Sequence, residues 1–320
     1  MTARPSSEGP LVVILGPTAS GKTRHALQLG RRLPVEVISA DSRQVYRHMD
    51  IGTAKPTASE LAALPHHLID VVNPDEAFHL GDYLRLAHAA IGSIRARGHI
   101  PMLVGGSGQY IWATVEGWEV PAVAPDLELR ALLTERALRD GPLVLHEQLQ
   151  RLDPVAAGAI HPHNVRRVVR ALELQARTSS LASAQRSRQT PRTDAVILGL
   201  HADRRELYTR IDARVDQMFE RGLIQEVQHL LDLGYEPSLP SMSGIGYTQV
   251  IRCLSGQVDR AEAVARMKTA THRLARQQAA WFRSADTRIH WLEPDDIGAA
   301  VKLVQAWKPL RTSAARGDVA

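Results

Sequence analysis

The chain has 320 residues, room for one large domain or two modest ones, and 44% of them are apolar, enough for a real core. With 39 Lys and Arg against 34 Asp and Glu the net charge is +5, which suits an anionic partner wherever the basic residues cluster and an ordinary basic protein where they do not. One cysteine, Cys253, excludes a disulfide framework and a cysteine-built zinc site and fits a reducing cytoplasm, residues 1–10 are too polar for a signal peptide, and no run approaches the roughly 20 apolar residues that span a bilayer.

Leu11 to Leu15 reads as a buried strand and 23–32 as the helix that follows it. Between them stands Gly16-Pro17-Thr18-Ala19-Ser20-Gly21-Lys22-Thr23, with the G-x-x-x-x-G-K-[ST] spacing intact. Glycines let such a loop curl so that its N–H groups face phosphate oxygens, and the helix N-terminus adds partial positive charge. Lys22 supplies a full charge, and the Thr23 hydroxyl can ligate a magnesium ion. A chance glycine turn is the plain alternative, and the strand and helix on either side argue against it.

Residues 35–39 form a second strand, followed at once by Ala40-Asp41-Ser42. A third strand is expected over 67–72, a helix over 80–97, and a fourth strand over 100–104 that ends in Gly105-Gly106-Ser107-Gly108. Short apolar strands alternating with helices predict an α/β fold, a P-loop NTPase-like parallel sheet. From about 120 to 193 the pattern turns helical, over 128–139, 143–152 and 164–177, with a polar connection at 179–193. A strand returns at Ala195 to Leu200, then helices over 204–221, 223–233, 246–254 and 259–284, a strand over 288–292 and a helix over 297–307. The expected organisation is therefore a core of 1–119 and 194–320 interrupted by a mostly helical insertion of 120–193. The tail from Thr312 is expected to be loose, and its Arg316-Gly317-Asp318 to be chance.

In an open parallel sheet, ligands sit beyond the carboxyl ends of the strands. Three such ends, the phosphate loop, Asp41 and Gly105–Gly108, are expected to share one crevice. Asp41 could be a magnesium ligand, a general base, or a turn cap. A P-loop hydrolase needs a strand ending in a metal-binding Asp, yet 102–104 end in glycine and Asp70 lies within its run, which weakens an ATPase reading. Basic residues cluster. On the 259–284 helix, Arg266, His272, Arg273, Arg276 and Arg283 share an arc opposite Val264, Met267, Leu274, Trp281 and Phe282. Arg166, Arg167 and Arg170 form a second cluster, and Arg210 and Arg214 a third. Beside a phosphate-binding core they favour a nucleic acid or another polyanion. An aromatic share of 4% argues against a broad base-stacking platform. His66, His67, His161 and His163 show no ligand pattern and read as structural.

Taken together, the chain resembles the bacterial tRNA dimethylallyltransferase (isopentenyltransferase) family over about residues 11–292. The resemblance rests on the Gly16–Thr23 loop, Ile38-Ser39-Ala40-Asp41-Ser42-Arg43-Gln44-Val45-Tyr46, Met49-Asp50-Ile51-Gly52-Thr53-Ala54-Lys55-Pro56 and His66-His67-Leu68-Ile69-Asp70. It continues through Leu103-Val104-Gly105-Gly106-Ser107-Gly108-Gln109-Tyr110, Arg170-Ala171-Leu172-Glu173, Gly244-Ile245-Gly246-Tyr247 and Gln278-Ala279-Ala280-Trp281-Phe282-Arg283. A lone P-loop is generic; the Gly52–Pro56 stretch is far more restrictive.

The resemblance implies transfer of a dimethylallyl group from its diphosphate to the N6 amine of the adenosine beside the anticodon (position 37) of tRNA, with Mg2+. The phosphate loop would then hold a leaving group and no hydrolytic water. By resemblance Asp41 is the general base, and Thr18 and Arg214 act with it on the reaction. The loop Gly16, Pro17, Thr18, Ala19, Ser20, Gly21, Lys22 and Thr23 holds the diphosphate, with Thr23 also near the metal. Asp41, Ser42, Arg43 and Gln44, together with Arg166, Arg167, Val168, Val169 and Arg170, match segments that touch tRNA; Ser107 and Arg130 match further contacts. Arg273 and Arg276 join them from the basic helix face. Ser107 and Gln109 stand where threonine and leucine are common, and His272 and Gln277 where arginines are usual, which thins the positive face. No zinc-finger pattern of the eukaryotic relatives is present. The expected enzyme is a cytoplasmic monomer. A P-loop small-molecule or nucleoside kinase, which would form ADP, and an ATP-dependent RNA-binding protein, which would leave RNA mass unchanged, are the alternatives.

Overall fold

The computed structural model describes residues 10–118, 120, 126–178 and 194–307. The connection at 179–193 and the tail from 312 lie outside them. In chain order the elements are β1 (Leu11–Leu15), α1 (Lys22–Gly30), β2 (Val35–Ala40), α2 (Ala58–Ala63), β3 (His66–His67), α3 (Leu80–Ala96), β4 (Ile100–Gly105) and α4 (Gly108–Glu116). Then come α5 (Leu127–Asp140), α6 (Pro142–Leu152), α7 (Pro154–Ala159), α8 (Val165–Thr178), β5 (Ala195–Leu200), α9 (Arg204–Glu220) and α10 (Leu223–Asp232). The last are α11 (Tyr247–Leu254), α12 (Arg260–Trp281), β6 (Ile289–Leu292) and α13 (Ile297–Gln305). They divide into two compact units, one of Met1–Val115 with Arg192–Ala320 and one of Glu116–Pro191.

In the first unit six strands form one parallel sheet in the order β3-β2-β4-β1-β5-β6. Every residue of β1 and β2 is buried, as expected for strands covered on both faces. On one face Val12, Ile14, Val37, Met102 and Leu198 pack against Ala26 and Leu29 of α1 and Ala300 and Val304 of α13. On β2 and β4 packs α3, which buries Tyr83, Leu84, Ala87, Ile91 and Ile94. A second core joins Val45, Tyr46 and Met49 to Val215, Phe219, Leu223, Val227, Tyr247, Val250 and Met267 of the later helices.

One charged residue lies within the sheet. Glu36 on β2 is 4% exposed. It accepts two bonds from Arg97 (3.0 and 2.6 Å) and meets His67 Nε2 and His99 Nδ1, each at 2.7 Å. These partners tie β2 to β3, to the end of α3 and to the turn before β4. The Arg97 guanidinium holds the carboxyl down at about 2 against the opposing effect of burial, with the two histidines adding to it. A carboxylate depressed in this way gives stability that is complete above its ordinary value of 4.5 and is lost as pH falls through about 2. Glu36→Gln should therefore unfold at lower urea near neutral pH and show a flatter acid branch between pH 5 and 2. Urea midpoints measured across pH test this, and an unchanged acid branch would contradict it.

The second unit contains α5 to α8, whose inner faces bury Leu133, Ala137, Leu145, Leu149, Ala156, Val168, Val169 and Leu172. Asp126 and Asp153 cap α5 and α7 through their side chains, and Pro142 and Pro154 stand in the first turns of α6 and α7.

Some expectations need correction. The third strand is only His66–His67, because Leu68 (φ 64°) and Asp70 (φ 55°) turn the chain out of extended geometry. Residues 70–72 instead bond to the loop after β2 through Asp70 N to Gln44 O (3.2 Å) and Val71 N to Val45 O (2.7 Å). On α12, Trp281 is 46% exposed, so it leaves the apolar face that periodicity gave it. His272 leaves the basic arc: it stacks on Tyr208 (4.1 Å) and meets Asp212 (2.9 Å).

Candidate active site

The ends of β2, β4 and β1 lie side by side, since Ala40 pairs with Gly105 and Gly105 with Leu15. The phosphate loop, Asp41 and the Gly105–Gly108 loop therefore open into one crevice. Within the phosphate loop Ser20 N donates to Pro17 O (3.2 Å) and Gly21, at φ 92°, caps α1 in the left-handed region that glycine adopts without strain. The Lys22 ammonium turns inward onto Gly16 O (3.0 Å) and Pro17 O (2.7 Å). The hydroxyls of Thr18 and Thr23 bond to no other described residue. No group of three or more His, Cys, Asp or Glu that could hold a metal occurs among the described residues.

Burial pushes Lys22 down to about 7, and the nearby Arg214 guanidinium adds to this, against the pull of the Asp41 carboxylate. Arg214, an exposed residue of α9, is itself lowered by desolvation. Two cations that repel each other beside the N-terminus of α1 form a site short of negative charge. An anion bound there restores the charged lysine. Because the free amine titrates near 7, binding of a fully ionised diphosphate above that pH should take up a proton, and affinity should fall as pH rises from 7 toward 10. Calorimetry of the binding of a diphosphate monoester such as methyl diphosphate, fully ionised at pH 8.5, in buffers of different ionisation heat measures the proton; none taken up at that pH would contradict the assignment. Lys22→Ala should weaken pyrophosphate binding about 10- to 100-fold, the range of a charge-assisted hydrogen bond.

Asp41 is half-buried just past β2. Its Oδ1 accepts Arg43 N (2.8 Å), so the turn cap is real. Its other oxygen bonds to no described residue and is open to accept a proton. Ser107 fastens the neighbouring loop: its N–H donates to Ala40 O (3.1 Å) and its hydroxyl accepts Ser42 N (3.2 Å). Asp70, the rival metal-binding carboxylate, is taken up by Lys55.

The Gly52–Pro56 stretch is built by partners that periodicity does not reveal. Lys55 donates to Tyr46 O (2.6 Å), Asp50 (2.6 Å) and Asp70. Glu226 of α10 accepts the N–H groups of Asp50 (2.9 Å), Ile51 (2.6 Å) and Gly52 (3.0 Å) and the Tyr247 hydroxyl (2.6 Å).

Several expected tRNA contacts have other partners. Gln44 accepts the Ser39 hydroxyl (3.0 Å) and donates to Thr53 O and Ala54 O (3.4 and 3.2 Å), and Arg43 donates to Pro240 O and Ser241 O (2.8 and 3.2 Å). Val168 and Val169 are 0% and 4% exposed; their side chains fill the second unit's core and offer no outer surface to RNA. Arg130 and Arg170 both grip the buried Glu173, whereas Arg166 and Arg167 stand exposed. Arg276 donates to the Tyr208 hydroxyl (2.9 Å). Arg273 lines a groove of about 520 Å³ with Arg252, Arg266 and Thr269.

The family model for IPP transferase matches residues 44–285, and that for isopentenyl transferase matches 9–73. A tRNA dimethylallyltransferase of Roseiflexus sp. is 51% identical over 274 residues, 86% of this chain and 90% of that protein. One of Dehalococcoides mccartyi is 46% identical over 283 residues, 88% of this chain and 87% of that protein. The crystal structure of a tRNA isopentenylpyrophosphate transferase from Bacillus halodurans is similar at TM-score 0.68 and 40% identity, covering 93% and 95% of the two chains. A eukaryotic dimethylallyltransferase acting on tRNA is similar at TM-score 0.77 and 28% identity, covering 91% of this chain and 75% of that one. With its loops, its sheet and three quarters of its length matched in this way, the chain belongs to the IPP transferase family, the prenyl-transferring enzymes named tRNA dimethylallyltransferases.

Proposed function

We propose that this protein transfers the dimethylallyl group of dimethylallyl diphosphate to the N6 amine of adenosine 37, 3′ to the anticodon, in tRNA. The observation that carries this reading is one crevice holding both an anion-deficient phosphate loop and a carboxylate with a free oxygen, in a member of this family. In the reaction the N6–C1 bond forms as the C1–O bond to diphosphate breaks. Asp41 takes the proton lost by the amine. Lys22, Arg214, the loop N–H groups and the Thr18 hydroxyl receive the departing diphosphate. Thr23, in the first turn of α1 with a hydroxyl unclaimed by other described residues, is the residue that would hold a Mg2+ ion, a sparse protein contribution that suits this ion beside a diphosphate. Bound there, the metal would neutralise charge on the leaving group.

The target base must leave the anticodon-loop stack to reach Asp41, at an unstacking cost of a few kcal/mol that phosphate contacts can offset. Arg273 and the exposed Arg166 and Arg167 are the proposed sources of such contacts, the last two from the helical second unit. Ser42 and Ser107, beside Asp41, are proposed to meet the extruded nucleotide. Arg43, Gln44 and Arg276 shape the surface of the first unit, and Arg130 and Arg170 that of the second, through the partners described above. A cytoplasmic monomer completes the reading.

Pyrophosphate release tests it. Phosphate-free enzyme, dimethylallyl diphosphate and Mg2+ should release pyrophosphate only when unmodified tRNA is added, one per tRNA consumed. Release independent of tRNA would overturn the assignment of tRNA as acceptor.

A further inference from the structure

One side chain reaches the phosphate loop from 260 residues away. The Gln278 Oε1 atom, near the end of α12, accepts the backbone N–H of Thr18 at 2.7 Å. That acceptor role fixes the amide's orientation, because only the oxygen can meet an N–H donor. The Nε2 end then lies against the neighbouring loop: a Cβ on Gly106 would stand 2.4 Å from it and 3.4 Å from Gly16 O. Nε2 bonds to no other described residue and is not sealed from solvent. It is a spare donor between the phosphate loop and the Gly105–Gly108 loop, in the crevice where β1 and β4 end.

We infer that Gln278 is a positioning residue for the diphosphate: its oxygen latches the phosphate loop through Thr18, and its amide nitrogen donates to the diphosphate lodged there. The inference rests on the transferase reading for the identity of the anion. The residue type suits both tasks. Glutamate would accept from Thr18 equally well but set a negative charge beside an anion, and lysine or arginine has no acceptor for the Thr18 N–H. The end of α12 is itself seated firmly, since Trp281 O accepts the Trp112 indole N–H (3.1 Å) and the Trp281 ring packs on Gly108.

The test uses the full-length protein and inorganic pyrophosphate with Mg2+, and then steady-state kinetics with dimethylallyl diphosphate and tRNA. Gln278→Met keeps the length and removes both hydrogen bonds. Gln278→Glu keeps the acceptor and reverses the electrostatics. Gly106→Ala displaces the amide from outside. Gln278→Met and Gly106→Ala should weaken pyrophosphate about tenfold, the worth of one or two hydrogen bonds. Gln278→Glu should weaken it further, because the added charge faces the anion. The KM for the prenyl diphosphate should rise in step while the KM for tRNA and the melting temperature stay near wild type. Pyrophosphate affinity equal to wild type in Gln278→Glu and Gly106→Ala overturns the inference, and so does a loss confined to thermal stability or tRNA affinity. Should the wild type bind pyrophosphate yet transfer no prenyl group, the transferase reading fails, and the pyrophosphate titrations still decide the part played by Gln278.

Discussion

Asp41→Asn should modify tRNA about 10²–10⁴ times more slowly than the wild type, the usual worth of a general base, while binding tRNA and prenyl diphosphate almost as well. The asparagine is the sharper substitution for a structural reason. Asp41 caps its own turn by accepting Arg43 N at 2.8 Å, and an amide oxygen preserves that bond. Asn also preserves the volume beside Ser42 and Ser107. What it removes is the second carboxylate oxygen's ability to take a proton. Asp41→Ala removes both functions, so any further loss in that variant measures the turn. Single-turnover rates with saturating substrates separate chemistry from binding. Near-normal turnover in Asp41→Asn would contradict the base assignment and leave Asp41 as a cap.

The largest stability effect is expected at Glu173. Its side chain is fully buried in the second unit, where it accepts the Asp126 N–H (2.6 Å), Arg130 (3.0 and 2.8 Å) and Arg170. Burial alone would raise this carboxyl, but Arg130, Arg170 and the Asp126 N–H outweigh it and hold it at about 2. Removing Glu173 takes away a buried carboxylate and its charge-assisted bonds to two arginines that solvent still reaches in part, so Glu173→Ala should destabilise the second unit by about 2–3 kcal/mol. The pH dependence follows from the depressed value: the stabilisation is complete above 4.5 and is lost as pH falls through about 2. Denaturant unfolding followed by a probe in the second unit tests both points. A loss under ~1 kcal/mol would mean that Glu173 does not hold the unit together. Its two arginine partners are also expected tRNA contacts, so RNA affinity should fall with the packing.

Much of this was readable because local chemistry and tertiary role agreed. The Leu11–Leu15 strand and the phosphate loop after it are specified within one short stretch, as is the placement of Asp41 just past a strand. The long helices α3, α9, α10 and α12 announce themselves through apolar spacing. Where a helix is buried all round the spacing vanishes: α4 (Gly108–Glu116) buries seven of its nine residues and shows no polar face to read. Short helices such as α2 and α7, six residues each, carry too few turns for a period. The third strand was overextended because 67–72 is apolar enough for a strand, while the turn at Leu68 and Asp70 is set by Lys55 and the loop after β2, which are remote in sequence. The same limit hid Glu226 and Gln278. Each works through a backbone N–H group brought to it by the fold, at separations of 174–176 and 260 residues. Val168 and Val169 illustrate the converse: inside a motif associated with RNA, residues three and four apart on an amphipathic helix, here Val165, Val168, Val169 and Leu172, must face the core.

The crevice is assigned to join a prenyl group to an anticodon-loop adenosine, a reaction that changes the RNA itself. The most direct measurement is the mass of the RNA. Unmodified tRNA is incubated with the protein, dimethylallyl diphosphate and Mg2+, then weighed intact and after nuclease digestion. The RNA should gain one dimethylallyl group in place of one hydrogen, confined to the anticodon-loop fragment that contains adenosine 37. Unchanged RNA mass, with the RNA bound and the prenyl diphosphate intact, would contradict it.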